Sequence, residues 1–287
     1  MYKTLNDLNL QKYGCKVYKL SIDAGFTCPN RDGTLGDKGC IFCSGGSGDF
    51  AEGGDIRDAL ERAKLKVEHK CKSGKYIAYL QSFTNTYAPV EVLKKIYYEA
   101  IEPTYIVGLS VATRPDCLGS EVLELLAEVN RIKPVTVELG LQTTNPKTAR
   151  AIGRGYENSV YFDAVKRLKE CGIEVVTHII IGLPFENGDD ALKTTADAVA
   201  AGTNGVKFHL LHILKNTPLA ELYERGEIKC LSMEEYGEIL KKCIGVLPPH
   251  ITVHRITGDG NKRELIAPEW SGDKKRVLNY LKEILKA

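Results

Sequence analysis

The sequence predicts an α/β fold in which parallel strands form a barrel or a partial barrel. Short β-rich runs recur along the chain, and an amphipathic helical stretch follows most of them. This alternation is typical of parallel strands joined by helical crossovers. Some runs, such as residues 179–181, are continuously apolar, which indicates burial on both faces of the sheet.

Seven strands are predicted, at residues 16–22, 76–81, 105–111, 135–141, 173–181, 206–212 and 251–256. Helix signals lie between them. Pro89 suits a first helical position, Ser120 can cap the next helix, and Asn158 opens another. Ser232 and Glu235 form a capping-box pattern. In such folds the reactive groups come from the carboxyl ends of the strands, so the polar residues there are candidates for a site.

Length and composition predict one globular domain over residues 1–287. The 287 residues carry a formal net charge of +2. Residues 1–22 are expected to form an N-terminal extension and the first strand, and residues 248–287 a C-terminal extension. The sequence contains no apolar run long enough to span a membrane and begins with a polar segment, so we expect a cytoplasmic protein without a membrane partner.

Three of the nine cysteines are candidate metal ligands. The odd number of cysteines and the lack of a secretory signal argue against a disulfide framework. Cys28, Cys40 and Cys43 lie in the glycine-rich loop after the first strand. Three thiolates can hold a [4Fe-4S] cluster whose fourth iron stays free to chelate an amine and a carboxylate. The alternative is a zinc site completed by a histidine such as His69. Among the other cysteines, Cys117 follows a strand and is a candidate to face the site.

Four segments resemble the radical S-adenosylmethionine (radical SAM) superfamily. They are residues 22–33, 81–87, 112–116 and 254–259. The chain resembles most the YtqA/YhcC-type subgroup, which is related to the elongator-type acetyltransferase's radical domain and to coproporphyrinogen-oxidase-like members. The gap between the first two cysteines is longer than in the commonest family motif. The resemblance implies a partial (β/α)6 TIM-like barrel, and S-adenosylmethionine bound to the open iron and cleaved to a 5′-deoxyadenosyl radical.

The resemblance also implies roles for single residues in binding the cofactor. Phe42 would pack on adenine, and the methionine amine would meet Gln81, Ser82 and Thr84. The remaining candidates for ribose and carboxylate contacts are Glu138, Gln142, Arg154 and His178. Several of them have a structural alternative: core packing for Phe42, turn chemistry for the Gln81 segment, a surface ion pair for Arg154 and a satisfied core group for His178.

Strand parity selects the candidates for substrate contact. Lys207 and His209 share one face of the sixth strand, so both can point into the barrel, and His212 is expected on the opposite face. We take Lys207 and His209 as the candidate catalytic residues. Weaker candidates are Asp23, Asn85, Arg255 and Asp259.

The subgroup resemblance suggests a tRNA substrate, with chemistry on the carbon-5 side chain of a wobble uridine. The basic segment from Arg62 to Lys75 would then contact phosphates, although such a segment is more often a solvated helix face. Flavodoxin or ferredoxin is the expected electron donor, and DNA is not an expected partner. The alternatives are radical oxidation of a small molecule, and a non-catalytic zinc or iron–sulfur protein that binds RNA.

Overall fold

The computed structural model describes residues 2–45, 50–258 and 260–286. Its strands are β1 (Lys3–Thr4), β2 (Tyr18–Ile22), β3 (Tyr76–Leu80), β4 (Ile106–Thr113), β5 (Val135–Gln142), β6 (Glu174–Ile181), β7 (Gly205–Leu210), β8 (Ile213–Leu214), β9 (Thr252–Arg255) and β10 (Leu265–Ala267). Within the described residues, eight strands form one parallel sheet in the order β1-β9-β7-β6-β5-β4-β3-β2. β8 and β10 form a separate antiparallel pair.

The curled, open parallel sheet confirms the predicted partial barrel. Each of the seven predicted runs overlaps one observed strand. β2 to β7 follow each other in sequence order, as the implied six-stranded barrel requires, and β9 and β1 extend the sheet beyond β7. β1 was not predicted, because two residues carry no periodic pattern.

Helices cover the outer face of the sheet. They are α1 (Leu5–Tyr13), α2 (Ile56–Val67), α3 (Val90–Ile101), α4 (Ser120–Ile132), α5 (Pro146–Ala151), α6 (Asn158–Glu170), α7 (Gly188–Ala200), α8 (Pro218–Glu224), α9 (Met233–Gly245) and α10 (Lys274–Ile284). On α3, Leu93, Tyr97 and Ala100 recur at helical spacing and are completely buried. No helix among the described residues has the length and apolar character needed to cross a membrane.

The helix caps agree with the sequence in two cases and differ in two. α6 begins at Asn158, and at α9 the Ser232 hydroxyl accepts a hydrogen bond from the Glu235 amide in a complete capping box. Ser120, however, is already helical: Gly119 occupies the N-cap of α4 and no side chain caps it, so the predicted serine cap is wrong. Pro89 precedes α3 as its N-cap instead of occupying the first helical position.

Candidate active site

The three cysteines line one cavity at the carboxyl ends of the strands. Cys28, Cys40 and Cys43 lie in the loop between β2 and α2, and the cavity they line has a volume of about 190 Å³. The exits of β3, β4, β5 and β6 complete its wall. Seven further predicted site residues line the same cavity: Phe42, Gln81, Thr84, Glu138, Gln142, Arg154 and His178. Residues far apart in sequence therefore meet where the parallel strands end.

The surroundings of Cys40 suit a metal-bound thiolate. Burial, with smaller contributions from Cys43 and Cys28, raises the pKa of the Cys40 thiol to about 11. The Asn30 amide donates to Cys40 Sγ at 3.4 Å and to the Gly153 carbonyl at 2.8 Å. A soft metal removes the cost of holding a buried thiolate, because it stabilises the deprotonated sulfur directly. Thiolate sulfurs are the donors that an iron–sulfur cluster takes, so the chemistry of the three side chains fits such a cluster.

The cysteine loop is fastened to the rest of the barrel by residues that were not assigned a role from the sequence. Arg31 Nη2 donates to the Cys43 carbonyl at 2.9 Å, and its guanidinium lies 5.1 Å from the centre of the Phe83 ring. The Ile41 amide donates to the Ile152 carbonyl at 3.1 Å. These contacts fix the loop that carries the three thiols.

The loop after β3 contains two buried polar atoms without a partner among the described residues. They are Ser82 Oγ and Asn85 Oδ1. Ser82 lies between two cavity-lining residues, Gln81 and Phe83. Buried acceptors in proteins are normally hydrogen-bonded, so these two oxygens fit a ligand that brings its own donors, such as an amine.

Gln142 occupies a strained position at the end of β5. Its φ of 65° lies in the left-handed region, and the pairing of β5 with β6 shifts register between Gly140 and Gln142. This conformation costs a non-glycine residue about 1–2 kcal/mol. Since the Gln142 side chain lines the cavity, the strain coincides with the site, as it often does in enzymes.

Arg154 is buried and all five of its guanidinium N–H groups donate within the protein. It donates to the carbonyls of Leu141, Thr143 and Tyr156 and to Asn158 Oδ1. Arg154 therefore clamps the exit of β5 to the start of α6. The surface ion pair considered from the sequence is wrong, and a contact with a cofactor carboxylate would have to break one of these bonds.

A network of polar side chains fills the barrel interior around the buried carboxylate of Glu138. Six consecutive strands contribute one member each: Lys19, Tyr79, Ser110, Glu138, His178 and Lys207. Glu138 accepts hydrogen bonds from Lys207 Nζ at 2.7 Å, His178 Nε2 at 2.7 Å, the Tyr79 hydroxyl at 3.0 Å and the Ser110 hydroxyl at 2.8 Å, and from Lys19. Glu138 is thus both the centre of this network and one of the residues that line the cavity.

Burial and neighbouring charges shift the pKa values of the network's members strongly. Burial acts to raise the pKa of Glu138, but the cations of Lys19 and Lys207 outweigh it and hold this pKa well below its usual range. Burial lowers the pKa of Lys207 to about 7. Burial and the nearby Lys207 lower the pKa of His178 to about 4, so its imidazole is neutral and donates to Glu138.

Lys207 and His209 lie on the inner face of β7, as strand parity predicts. Lys207 bonds to Glu138, and the His209 ring centre lies 5.0 Å from that of His178. The opposite face predicted for His212 is wrong. A Cβ built on Gly258 would lie 3.6 Å from His209 Nδ1 and 3.4 Å from His212 Cε1, so both rings flank one glycine. β7 ends at Leu210, and the alternation ends with it.

The weaker candidates have local roles or lie elsewhere. Asp23 accepts from the Gly25 amide at 3.0 Å, and the Asn85 amide bonds to two carbonyls. Cys117 lines a different cavity, beside Tyr87, and burial raises the pKa of its thiol to about 12. Asp259 lies outside the described residues. His69, the histidine of the zinc alternative, is exposed on the short helix Glu68–Lys70 before β3, whereas the cysteines follow the end of β2.

Comparison with known proteins agrees with this fold and site. Residues 28–198 match the family model of the Radical SAM superfamily, and residues 203–287 match that of the Radical_SAM C-terminal domain. The chain therefore belongs to the radical SAM superfamily. The family uses a [4Fe-4S] cluster and S-adenosylmethionine, so these two, and not zinc, are the cofactors.

Individual relatives extend over nearly the whole chain. "Uncharacterized protein YtqA" of Bacillus subtilis (strain 168) is 44% identical over 287 residues, which cover 99% of this chain and 89% of that protein. "Protein YhcC" of Escherichia coli (strain K12) is 38% identical over 262 residues, 91% of this chain and 84% of that one. The structure of Methanocaldococcus infernus Elp3 with an N-terminal deletion superposes with a TM-score of 0.70 at 18% identity, covering 93% of this chain and 63% of that one.

Proposed function

We propose that this radical SAM enzyme holds its cluster on Cys28, Cys40 and Cys43 and modifies the carbon-5 side chain of a wobble uridine in tRNA. Bound together, the cluster and S-adenosylmethionine supply a 5′-deoxyadenosyl radical that can take a hydrogen atom from an unreactive C–H bond. The observation that supports this site is the cavity shared by three half-buried thiols and residues from β3, β4, β5 and β6 or their exits.

The other cavity residues would bind and orient the cofactor. Ser82, with a buried oxygen free to accept, Gln81 and Thr84 would receive the methionine amine, and Phe42 would pack on adenine. Ribose and carboxylate contacts would come from Glu138, Gln142, Arg154 and His178. Gln142 suits this role best, because it is held in a strained conformation toward the cavity, whereas Arg154 is already bonded within the protein.

Lys207 and His209 would meet the substrate below the cofactor. Lys207 is held by Glu138 and Tyr79, and His209 stacks beside His178, so both side chains are positioned before any substrate arrives. Prepositioned groups lower the cost of orienting the reacting carbon.

Support for tRNA comes from the resemblance to the YtqA/YhcC-type subgroup and not from the basic segment. On α2, Arg62 and Lys66 pair with Glu52, and Lys64 pairs with Glu61. The segment that follows α2 precedes β3 and so lies at the amino end of the sheet, about one strand length, roughly 17 Å, from the cysteines. The structure thus favours the solvated helix face, and the phosphate contacts of α2 expected from the sequence are not part of the proposal.

An exposed aromatic side chain near the site offers a different RNA contact. Phe185 follows β6, is 69% exposed and has a φ of 68°. The loop that carries it is fixed, since the Glu186 amide donates to the Leu183 carbonyl and Asn187 begins a capping box at α7. An aromatic ring presented in this way can stack on a nucleobase.

The test of the proposed function is a comparison of modified nucleosides in tRNA. We expect tRNA from cells that lack this protein to accumulate a precursor at the wobble uridine. Anaerobic holoenzyme with S-adenosylmethionine and reduced flavodoxin or ferredoxin should convert that precursor and release 5′-deoxyadenosine. Cys40→Ala should lose its iron and the conversion, whereas Cys15→Ala, which changes a cysteine outside the cavity, should retain both.

Binding of tRNA provides a second readout. The affinity should fall steeply with salt concentration, because phosphate contacts release counterions. Unchanged wobble uridines, together with no tRNA binding at low salt, would contradict the tRNA substrate. Release of 5′-deoxyadenosine in the presence of a small molecule instead would then identify the alternative class of substrate.

A further inference from the structure

The barrel interior below the cysteines contains more cationic than anionic side chains. Lys19 and Lys207 both contact Glu138, the one carboxylate of the described interior network. A third cation, Arg255, ends β9 next to Lys207 on β7. Arg255 is half-buried, and the one carboxylate of the network is already shared by Lys19 and Lys207. Since cations away from bulk water are stabilised by counterions, this excess of positive charge favours a further anion.

The sheet register directs Arg255 toward this interior. Lys207 and Arg255 are paired residues on neighbouring parallel strands, so their side chains lie on the same face of the sheet. Lys207 points inward to Glu138. The register of β7 and β9 shifts between Val206 and Lys207, so His254 also faces the interior. Its Nε2 lies 2.9 Å from the position that a Cβ on Gly205 would take, and Gly205 is on the same face of β7 as Lys207. The backbone of Arg255 pairs with β7, but its side chain makes no hydrogen bond or ion pair with another described residue.

Two buried imidazole nitrogens beside these cations also lack partners in the described part of the chain. They are His209 Nε2 and His254 Nδ1. Burial lowers the pKa of His209 well below its ordinary value and that of His254 to about 3, so both rings are neutral and each can donate one N–H. Gly258 lies next to His209, since a Cβ built there would be in ordinary van der Waals contact with Nδ1 at 3.6 Å.

We infer that this interior binds an anionic group of the substrate, a carboxylate or a phosphate, through Arg255 and His209. Arginine offers a planar pair of donors that matches either group, and a neutral histidine adds one more. Lys207, which is hydrogen-bonded to Glu138, adds positive charge nearby. The proposed anion position borders the cavity of the cysteines, because Glu138 and His178 belong both to the interior network and to the lining of that cavity. The inference rests on the proposed function in so far as the anion is part of the substrate.

The test uses acetate and methylphosphonate as probes of the two anion classes. Saturation-transfer NMR measures their affinity for the oxidised holoenzyme with S-adenosylmethionine bound, at constant ionic strength. We expect Arg255→Gln to bind the preferred probe roughly tenfold or more weakly, and Arg255→Lys to restore part of the loss. Arg276→Gln, an exposed arginine on α10, is the matched control and should bind as the wild type does.

Each result decides between the possibilities. Stronger binding of acetate identifies a carboxylate, and stronger binding of methylphosphonate identifies a phosphate. Two results would overturn the inference. One is equal binding of the probes by wild type and Arg255→Gln. The other is binding to the holoenzyme without S-adenosylmethionine that is lost once S-adenosylmethionine is bound. Anion binding that depends on Arg255 while tRNA is left unmodified would uphold the anion site and reject only the tRNA substrate. Iron content and the midpoint of thermal unfolding verify that each variant is folded.

Discussion

At the scale of single residues, the carboxylate of Glu138 organises the barrel interior. Its side chain is completely buried, and five side chains from five other strands donate to it. A buried charge is tolerable only when such partners surround it. Lys19 and Lys207 supply the opposite charge, and the neutral donors satisfy the remaining lone pairs.

Replacing Glu138 by glutamine should therefore destabilise the fold strongly. Glu138→Gln leaves Lys19 and Lys207 buried without a counterion, and we expect a loss of about 3–5 kcal/mol in the free energy of unfolding. Denaturant unfolding under anaerobic conditions measures the change. Glu128→Gln breaks an exposed pair with Lys94 and should have little effect. Equal stability of the Glu138 variant and the wild type would show that the interior cations do not depend on this carboxylate.

Three half-buried histidines whose pKa values are lowered should make the protein sensitive to acid. Burial lowers the pKa of His178 from 6.5 to about 4 and that of His254 to about 3, and His209 shifts the same way. In the unfolded chain these side chains take up protons as the pH falls below about 6.5, while in the folded chain they stay neutral. The unfolded state then binds more protons, so stability falls as the pH falls from about 6.5 toward 4.

The slope of this dependence tests the assignment. Each of these histidines contributes up to about 1.4 kcal/mol per pH unit in this range. His178→Gln should therefore make the fall in stability between pH 6.5 and 4 shallower than in the wild type, measured as the free energy of unfolding at a series of pH values. His69→Gln changes an exposed side chain and should leave the slope unaltered. An identical slope for the His178 variant would contradict a neutral, buried imidazole.

At the scale of elements, helix ends show how far local sequence determines local structure. The capping box of Ser232 and Glu235 forms as predicted, because its two hydrogen bonds are made within four residues. Ser120 has the same residue type before a helical pattern, yet the chain turns one residue earlier, at Gly119. The backbone of the preceding loop decides which residue becomes the cap, and that loop follows the end of β4.

Substitution by alanine should affect stability at Ser232 but not at Ser120. Ser232→Ala removes the acceptor of the Glu235 amide and should lower the free energy of unfolding by about 1 kcal/mol. Ser120→Ala removes no capping bond and should leave stability nearly unchanged. Thermal unfolding of both variants beside the wild type measures the difference. A larger loss for the Ser120 variant than for the Ser232 variant would contradict the observed caps.

At the scale of the whole molecule, the parallel sheet brings the site together. All strands of the main sheet run in one direction, so the loops after β2, β3, β4, β5 and β6 meet at one edge. The three cysteines, however, come from one loop only. The apolar core lies between the sheet and the helices and includes fully buried residues such as Leu80, Val137 and Ile181.

Removal of the cluster should therefore loosen one loop and leave the barrel folded. Chelation of iron from the holoenzyme should increase amide hydrogen exchange mainly in residues 24–45, because the cluster stabilises only the state that binds it. Exchange in β5 and β6 should change little. Loss of protection throughout the sheet would show that the cluster is required for the whole fold. Re-addition of iron and sulfide should restore the protection of the loop.

The residue pattern alone predicted seven of the eight strands of the main sheet among the described residues, the partial barrel and the family. These follow from apolar periodicity and from short motifs whose residues lie close together in the chain. Tertiary structure alone decided the pairing of charges: that Glu52 neutralises part of α2, that Arg154 donates to backbone carbonyls and that Arg255 lies beside Lys207. Which side chains share a charge or a hydrogen bond depends on contacts between distant segments, and no local pattern encodes those contacts.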